Sequence, residues 1–166
     1  MAKLNKLELR EIPQVRVIGR EIHKEMTGPN PIPQLWQTMM QNHDFATLMK
    51  LPLAFSDFTV GWMGEVSATG FTYIAGVFAE PNTEVPTGMQ FRDLQATAVV
   101  ESLIEGNLAN GEVYMRAHDL TETAMKEKDL IPSSEAGWEA EVYPGNLTYT
   151  QEEGMIGYFI PYQKVK

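Results

Sequence analysis

Glu139, Glu141 and Tyr143 occupy alternate positions in the stretch Trp138-Glu139-Ala140-Glu141-Val142-Tyr143. In a strand, alternate residues share one face, so two carboxylates and a phenol stand in a row while Trp138, Ala140 and Val142 form the other side. The small, apolar set suits packing under helices, which leaves the acidic set looking toward a cleft. A carboxylate in an apolar setting can hold a cation, helped by aromatic faces. It can also exchange a proton with a substrate. The two uses need opposite protonation states near neutrality, and Glu141 with Tyr143 is the pair that an enzyme would use.

Other chemistries find little material. His23, His43 and His118 have no metal-ligand spacing, no acidic cluster resembles a calcium loop, and the chain has no cysteine. Glycine-rich phosphate loops and nucleophile elbows are absent as well. Neither a metal nor a cofactor is expected.

The 166 residues carry a net charge of -9, and no run of Lys or Arg could track a phosphate backbone, so direct nucleic-acid binding is disfavoured. The same field would raise the local concentration of cations. With 43% hydrophobic residues the chain can bury a core. No leader-like or membrane-spanning apolar stretch is present, which makes a soluble, cytoplasmic protein the expectation.

The elements that must position these residues can be read from pattern. Residues 7–24 read as strand, broken at Pro13. Thr27-Gly28-Pro29-Asn30-Pro31 is a turn cluster. A helix is predicted from Ile32-Pro33 to about Met49, with Leu35, Trp36, Met39, Met40 and His43 on one stripe and Pro52 closing it. Trp36, at the head of that stripe, suits a core position as well as the mouth of a cleft. Strands follow over 58–66 and 71–79, joined by a hairpin loop at 67–70. Residues 80–88 link to a strand over about 94–105 and a loop at 106–111. The next helix turns Val113, Ala117, Leu120 and Ala124 to one face. Two strands, 138–143 and 155–162, end the chain.

Val60-Gly61-Trp62-Met63-Gly64-Glu65-Val66 returns as Ala136-Gly137-Trp138-Glu139-Ala140-Glu141-Val142. Lys50-Leu51-Pro52 and Leu130-Ile131-Pro132 precede the two copies, and Ile74-Ala75-Gly76-Val77-Phe78 and Met155-Ile156-Gly157-Tyr158-Phe159 follow them. Repetition at nearly the same spacing, with offsets that drift between 76 and 81 as loop insertions would produce, marks a duplicated unit. The expected architecture is a single α+β domain over 1–166, built from two β-α-β-β repeats at about 7–80 and 89–166. They would be related by a pseudo-twofold, with an antiparallel-rich sheet, two helices on one face and a ligand cleft between repeats. By the repeat, Met63 and Glu65 match the cleft side of the second copy, with Trp62 behind. Trp62, Trp138, Tyr143 and Phe159 also fit plain core positions.

Four stretches, Tyr73-Ile74-Ala75-Gly76-Val77, Val85-Pro86-Thr87-Gly88-Met89, Leu130-Ile131-Pro132-Ser133-Ser134 with Glu141-Val142-Tyr143, and Tyr158-Phe159-Ile160-Pro161, resemble in order and content the GyrI-like small-molecule-binding domain. That domain also serves as the effector-binding module of multidrug-responsive AraC-type and MerR-type regulators. The resemblance implies a duplicated fold and places Glu141 in the cleft, facing cationic or polar aromatic ligands. Some members carry a second acid on the last strand, where this sequence has Gly157, and often an aromatic hydroxyl where it has Phe159. The family pattern turns the Gly157 and Phe159 side to the cleft, and the repeat extends this to Gly76 and Phe78.

The expected ligand-binding set is therefore Glu141, Tyr143, Phe159, Gly157, Phe78, Met63, Glu65, Glu139 and Trp36. Stand-alone members of the family bind small molecules, interact with DNA gyrase, or hydrolyse strained cyclopropane compounds. With about 14 residues before the first long strand, no helix-turn-helix is expected there. The expected function is capture of hydrophobic, often cationic aromatic compounds. The alternatives are hydrolysis of strained electrophiles by Glu141, and a regulatory role through a protein partner such as gyrase. An exposed sheet edge would also permit a homodimer.

Overall fold

The computed structural model describes residues 1–55, 58–144 and 152–165. The element order is β1 (Lys3–Ile12), β2 (Val15–Glu25), α1 (Ile32–Gln41), α2 (Asp44–Leu48), β3 (Phe58–Gly64), β4 (Gly70–Ala79), β5 (Gln90–Leu94), β6 (Thr97–Gly106), α3 (Glu112–Glu127), β7 (Leu130–Pro132), β8 (Trp138–Pro144) and β9 (Gly154–Lys164). The chain is α+β, with antiparallel strand pairing throughout the two compact units, Pro13–Ala96 and Met1–Ile12 with Thr97–Lys166. Among the described residues no helix is long and apolar enough to cross a membrane.

In the unit spanning Pro13–Ala96 the strand order is β3-β4-β2-β5. Gly19 of β2 lies directly opposite Gly76 of β4. A Cβ on Gly76 would sit 1.8 Å from the Ile18 carbonyl oxygen, and one on Gly19 would sit 1.9 Å from that of Ala75. The strands approach this closely because neither residue carries a side chain.

Helix α1 starts at Ile32-Pro33 as its sequence predicts, with proline in the first turn where no amide partner is needed. The single helix expected to run on to Met49 is instead two. His43 adopts φ 60°, a left-handed conformation that ends the hydrogen-bond ladder. Asp44 then opens α2, and its buried carboxylate takes two hydrogen bonds from Arg20 of β2, at 3.0 and 3.2 Å. That fork holds α2 against the sheet.

The other unit joins β1 to the C-terminal half of the chain, in the order β8-β9-β6-β1, with β7 also paired to β9. The connection between β8 and β9 lies outside the described residues. Helix α3 buries Val113, Ala117, Thr121 and Met125, a stripe repeating every four residues. The expected stripe put Leu120 and Ala124 there. A threonine holds the core line because its hydroxyl is satisfied twice, by Ser102 Oγ of β6 at 2.6 Å and by the Ala117 carbonyl at 2.7 Å.

Both units share one internal plan. The strand leading into the helix (β2 or β6) pairs with the far strand of the hairpin (β4 or β9) and with one further strand (β5 or β1). The expected bounds, 7–80 and 89–166, thus differ from the units observed. Residues 7–12 belong with the second half through β1 and β6, and β5 belongs with the first through β2.

Candidate functional site

The register of β8 and β9 sorts the predicted residues onto two faces. Glu141 is opposite Tyr158, Ala140 opposite Phe159, and Val142 opposite Gly157. Directly opposed residues project to the same side. Glu139, Glu141, Tyr143 and Tyr158 therefore share one face, and Trp138, Ala140, Val142, Gly157 and Phe159 share the other. Gly157 and Phe159, expected beside Glu141, stand behind it.

A second expectation is reversed as well. Helix α3 packs on the face of Glu139, Glu141 and Tyr143, and not on the small apolar side. Three contacts establish this: His118 Nδ1 to Glu139 Oε1 at 2.8 Å, Thr121 to Ser102 on the Tyr158 side of the sheet, and the ring of Tyr114 at 6.0 Å from that of Tyr143. The physical reason is that α3 brings a polar flank with it. Tyr114, His118, Glu122 and Lys126 repeat at four-residue spacing beside the buried stripe and meet the acidic strand face.

Glu139 is the hub of this face. It accepts hydrogen bonds from the Tyr158 hydroxyl, at 2.5 Å, and from His118. His118 in turn pairs with Glu122 through Nε2 at 2.9 Å, and Lys126 pairs with Glu122 at 3.3 Å. Tyr158 is buried, and burial first, then the charge of Glu139, pushes its hydroxyl far above the ordinary phenol range. Tyr158 is therefore a permanent donor. Glu141 is half-buried next to this array, and its charge acts on both Tyr158 and Tyr114. Burial, followed by the Glu141 charge, raises the Tyr114 hydroxyl to about 12.

The hydrogen bond to Glu139, with added Coulomb attraction from Glu139, Glu122 and Asp119, raises His118 above its ordinary 6.5 against the opposing effect of burial. A histidine whose folded value is raised contributes stability that is complete below the unfolded value and lost as pH climbs through the folded one. The thermal midpoint of the wild type should thus fall, relative to that of His118→Gln, as pH rises above about 6.5. Melting curves of the two proteins across pH 5.5 to 9 check this, and parallel curves would contradict it. The effect is small because His118 is substantially exposed.

In the unit Pro13–Ala96 the predicted residues are divided again. Met63 is opposite Tyr73, whose hydroxyl accepts a hydrogen bond from Trp36 Nε1 of α1 at 2.9 Å. Met63 therefore lies on the helix side. Trp36 itself is buried and stacks on Phe45 with ring centroids 5.0 Å apart, a core role. Trp62 and Phe78 lie on the opposite face, where Phe78 meets the edges of Phe55 and Phe58 at 6.0 and 6.4 Å. Glu65 falls just beyond β3 at φ 55° and is held by Arg92 at 2.8 Å, which also binds Glu21. The Arg92 hydrogen bond keeps the Glu65 carboxyl below its usual range.

The structure thus gathers Glu139, Glu141 and Tyr143 and adds Tyr114, His118 and Tyr158, which the sequence reading missed. The signal for the helix residues was their four-residue spacing. A hollow of about 840 Å³ at the end of the same unit is lined by Lys3, Glu105, Asn107 and Glu112, among others, and by none of the predicted residues. Of its four lining glutamates, Glu105 and Glu112 are paired with Lys3 and the Met1 amino group. Among the described residues no group of three His, Asp or Glu side chains could hold a metal.

No protein-family model matches the chain, and no curated protein matches it in sequence. Solved structures do match over nearly its whole length. SAV2435, determined with tetraphenylphosphonium bound, is similar with a TM-score of 0.71 at 14% identity, covering 95% of this chain and 94% of that one. A Staphylococcus aureus MU50 protein, provisionally described as a bacterial transcription regulation protein, has a TM-score of 0.69 at 13% identity over 95% and 98% of the two chains. The EcmrR C-terminal domain has 0.57 at 13% identity over 96% and 98%. The chain has the fold of these proteins, and at the level of fold they match the GyrI-like resemblance carried by the motifs.

Proposed function

We propose that this protein binds small molecules, and that its ligands are hydrophobic aromatic cations held by Glu141 as counter-ion. The observation that carries the reading is a half-buried carboxylate on a strand face among aromatic side chains, acting electrostatically on Tyr114 and Tyr158. Glu139, two residues before Glu141 on the same strand face, is held by Tyr158 and His118. On the same face the rings of Tyr143, buried, and Tyr114, half-buried, lie 6.0 Å apart.

A unit charge about 6 Å from Glu141, as near as phenyl groups let a phosphonium approach, gains roughly 3 kcal/mol at an effective dielectric of about 20. Desolvation offsets part of this. Aromatic contacts with the cation add about 0.5 to 2 kcal/mol each. The sum reaches the roughly -8 kcal/mol of a micromolar complex once apolar burial is included. That a protein of the same fold was determined with tetraphenylphosphonium bound supports this ligand class. Calorimetric titration with tetraphenylphosphonium is the test. Saturable binding near the micromolar range is expected, and the absence of saturable binding up to millimolar probe would contradict the proposal.

A further inference from the structure

Tyr158 and Tyr114 both feel the Glu141 charge, and they differ in one respect. The Tyr158 hydroxyl donates to Glu139. Among the described residues, the Tyr114 hydroxyl is buried and has no hydrogen-bond partner. A buried donor left unpaired is costly, and such groups are rare enough in folded proteins to require a cause. Here the hydroxyl sits on the flank of α3 beside the Tyr143 ring, near enough to Glu141 to feel its charge yet not hydrogen-bonded to it. It keeps its proton through the neutral range, because its value is pushed up to about 12.

We infer that Tyr114 is a specificity determinant: its hydroxyl selects, among cations bound at Glu141, those carrying a hydrogen-bond acceptor a few ångströms from the positive centre. This inference rests on the binding role of Glu141 proposed above. A ligand whose cationic centre faces Glu141 brings its neighbouring atoms to the Tyr114 hydroxyl. An ether or carbonyl oxygen there completes the hydrogen bond that the free protein lacks. A methylene in its place leaves the donor buried and unpaired. Discrimination by a site built to hydrogen-bond a ligand is stronger than discrimination by size alone. Alkoxy- or acyl-substituted aromatic cations are the class favoured.

Butyltriphenylphosphonium and (2-methoxyethyl)triphenylphosphonium have the same charge and nearly the same shape, and differ by one ether oxygen. Affinities of both are measured by calorimetry for the wild type, Tyr114→Phe and Glu141→Gln. Tyr114→Phe is expected to weaken the ether probe about tenfold, the size of one hydrogen bond, and to leave the butyl probe within about twofold. Because the hydroxyl is unpaired in the free protein, Tyr114→Phe is also expected to melt at the wild-type temperature or above.

Equal effects on both probes, no effect on either, or a lowered melting temperature would each overturn the inference. If both probes bind and Glu141→Gln weakens both, such a result sinks the Tyr114 assignment alone. If neither probe binds the wild type, the binding role fails and the inference fails with it.

Discussion

Gly76→Ala is expected to unfold the protein or cost it more than about 4 kcal/mol, at the severe end for a point substitution. The added methyl would lie 1.8 Å from the Ile18 carbonyl oxygen, and backbone cannot swing aside as a side chain can. Relief requires β2 and β4 to separate where Gly19 and Gly76 face each other, which breaks ladder hydrogen bonds at the centre of that sheet. Gly157→Ala is the control. Its Cβ would meet Val142 Cβ and Cγ1 at 3.2 and 3.7 Å, a tight contact that a small shift of the β8 backbone relieves. Urea unfolding of the two variants should separate them by several kcal/mol. Comparable stabilities would show that the close approach of β2 and β4 is not what demands a glycine.

Glu141→Gln is expected to weaken tetraphenylphosphonium binding by about 10- to 100-fold, equivalent to roughly 1.4 to 2.7 kcal/mol. The phenyl groups keep phosphorus about 6 Å from any carboxylate, where the attraction at an effective dielectric of about 20 is near 3 kcal/mol before desolvation is subtracted. Glutamine keeps the shape and the oxygen and removes only the charge. An uncharged aromatic of similar size should therefore bind wild type and variant alike. Equal loss for the neutral compound would mean that the substitution had disturbed packing and had not removed a counter-ion.

The alternation of Glu139, Glu141 and Tyr143 could be read from sequence because strand periodicity is local, and so could the start of α1, set by proline chemistry. The side of the sheet that α3 covers could not be read the same way. The small size of Ala140 and Val142 argued for the helix side, whereas the polar flank formed by Tyr114, His118 and Glu122 decides it through contacts distant in sequence. The placement of Gly157 and Phe159 depends on a hairpin register that the strand sequences leave undetermined, and a slip of one residue exchanges the two faces. The break at His43 was hidden because the apolar stripe continues through Met39 and Met40 to His43, and non-glycine residues seldom take φ 60°. The partner of β1 is β6, about 90 residues away, and no local pattern encodes that pairing.

A crystal structure of the tetraphenylphosphonium complex tests the central claim most directly. The account predicts phosphorus about 6 to 7 Å from the Glu141 carboxylate, on the strand face shared with Tyr143 and Tyr158. A phosphonium seated on the opposite face, against Gly157 and Phe159, or bound away from Glu141 altogether, would contradict it.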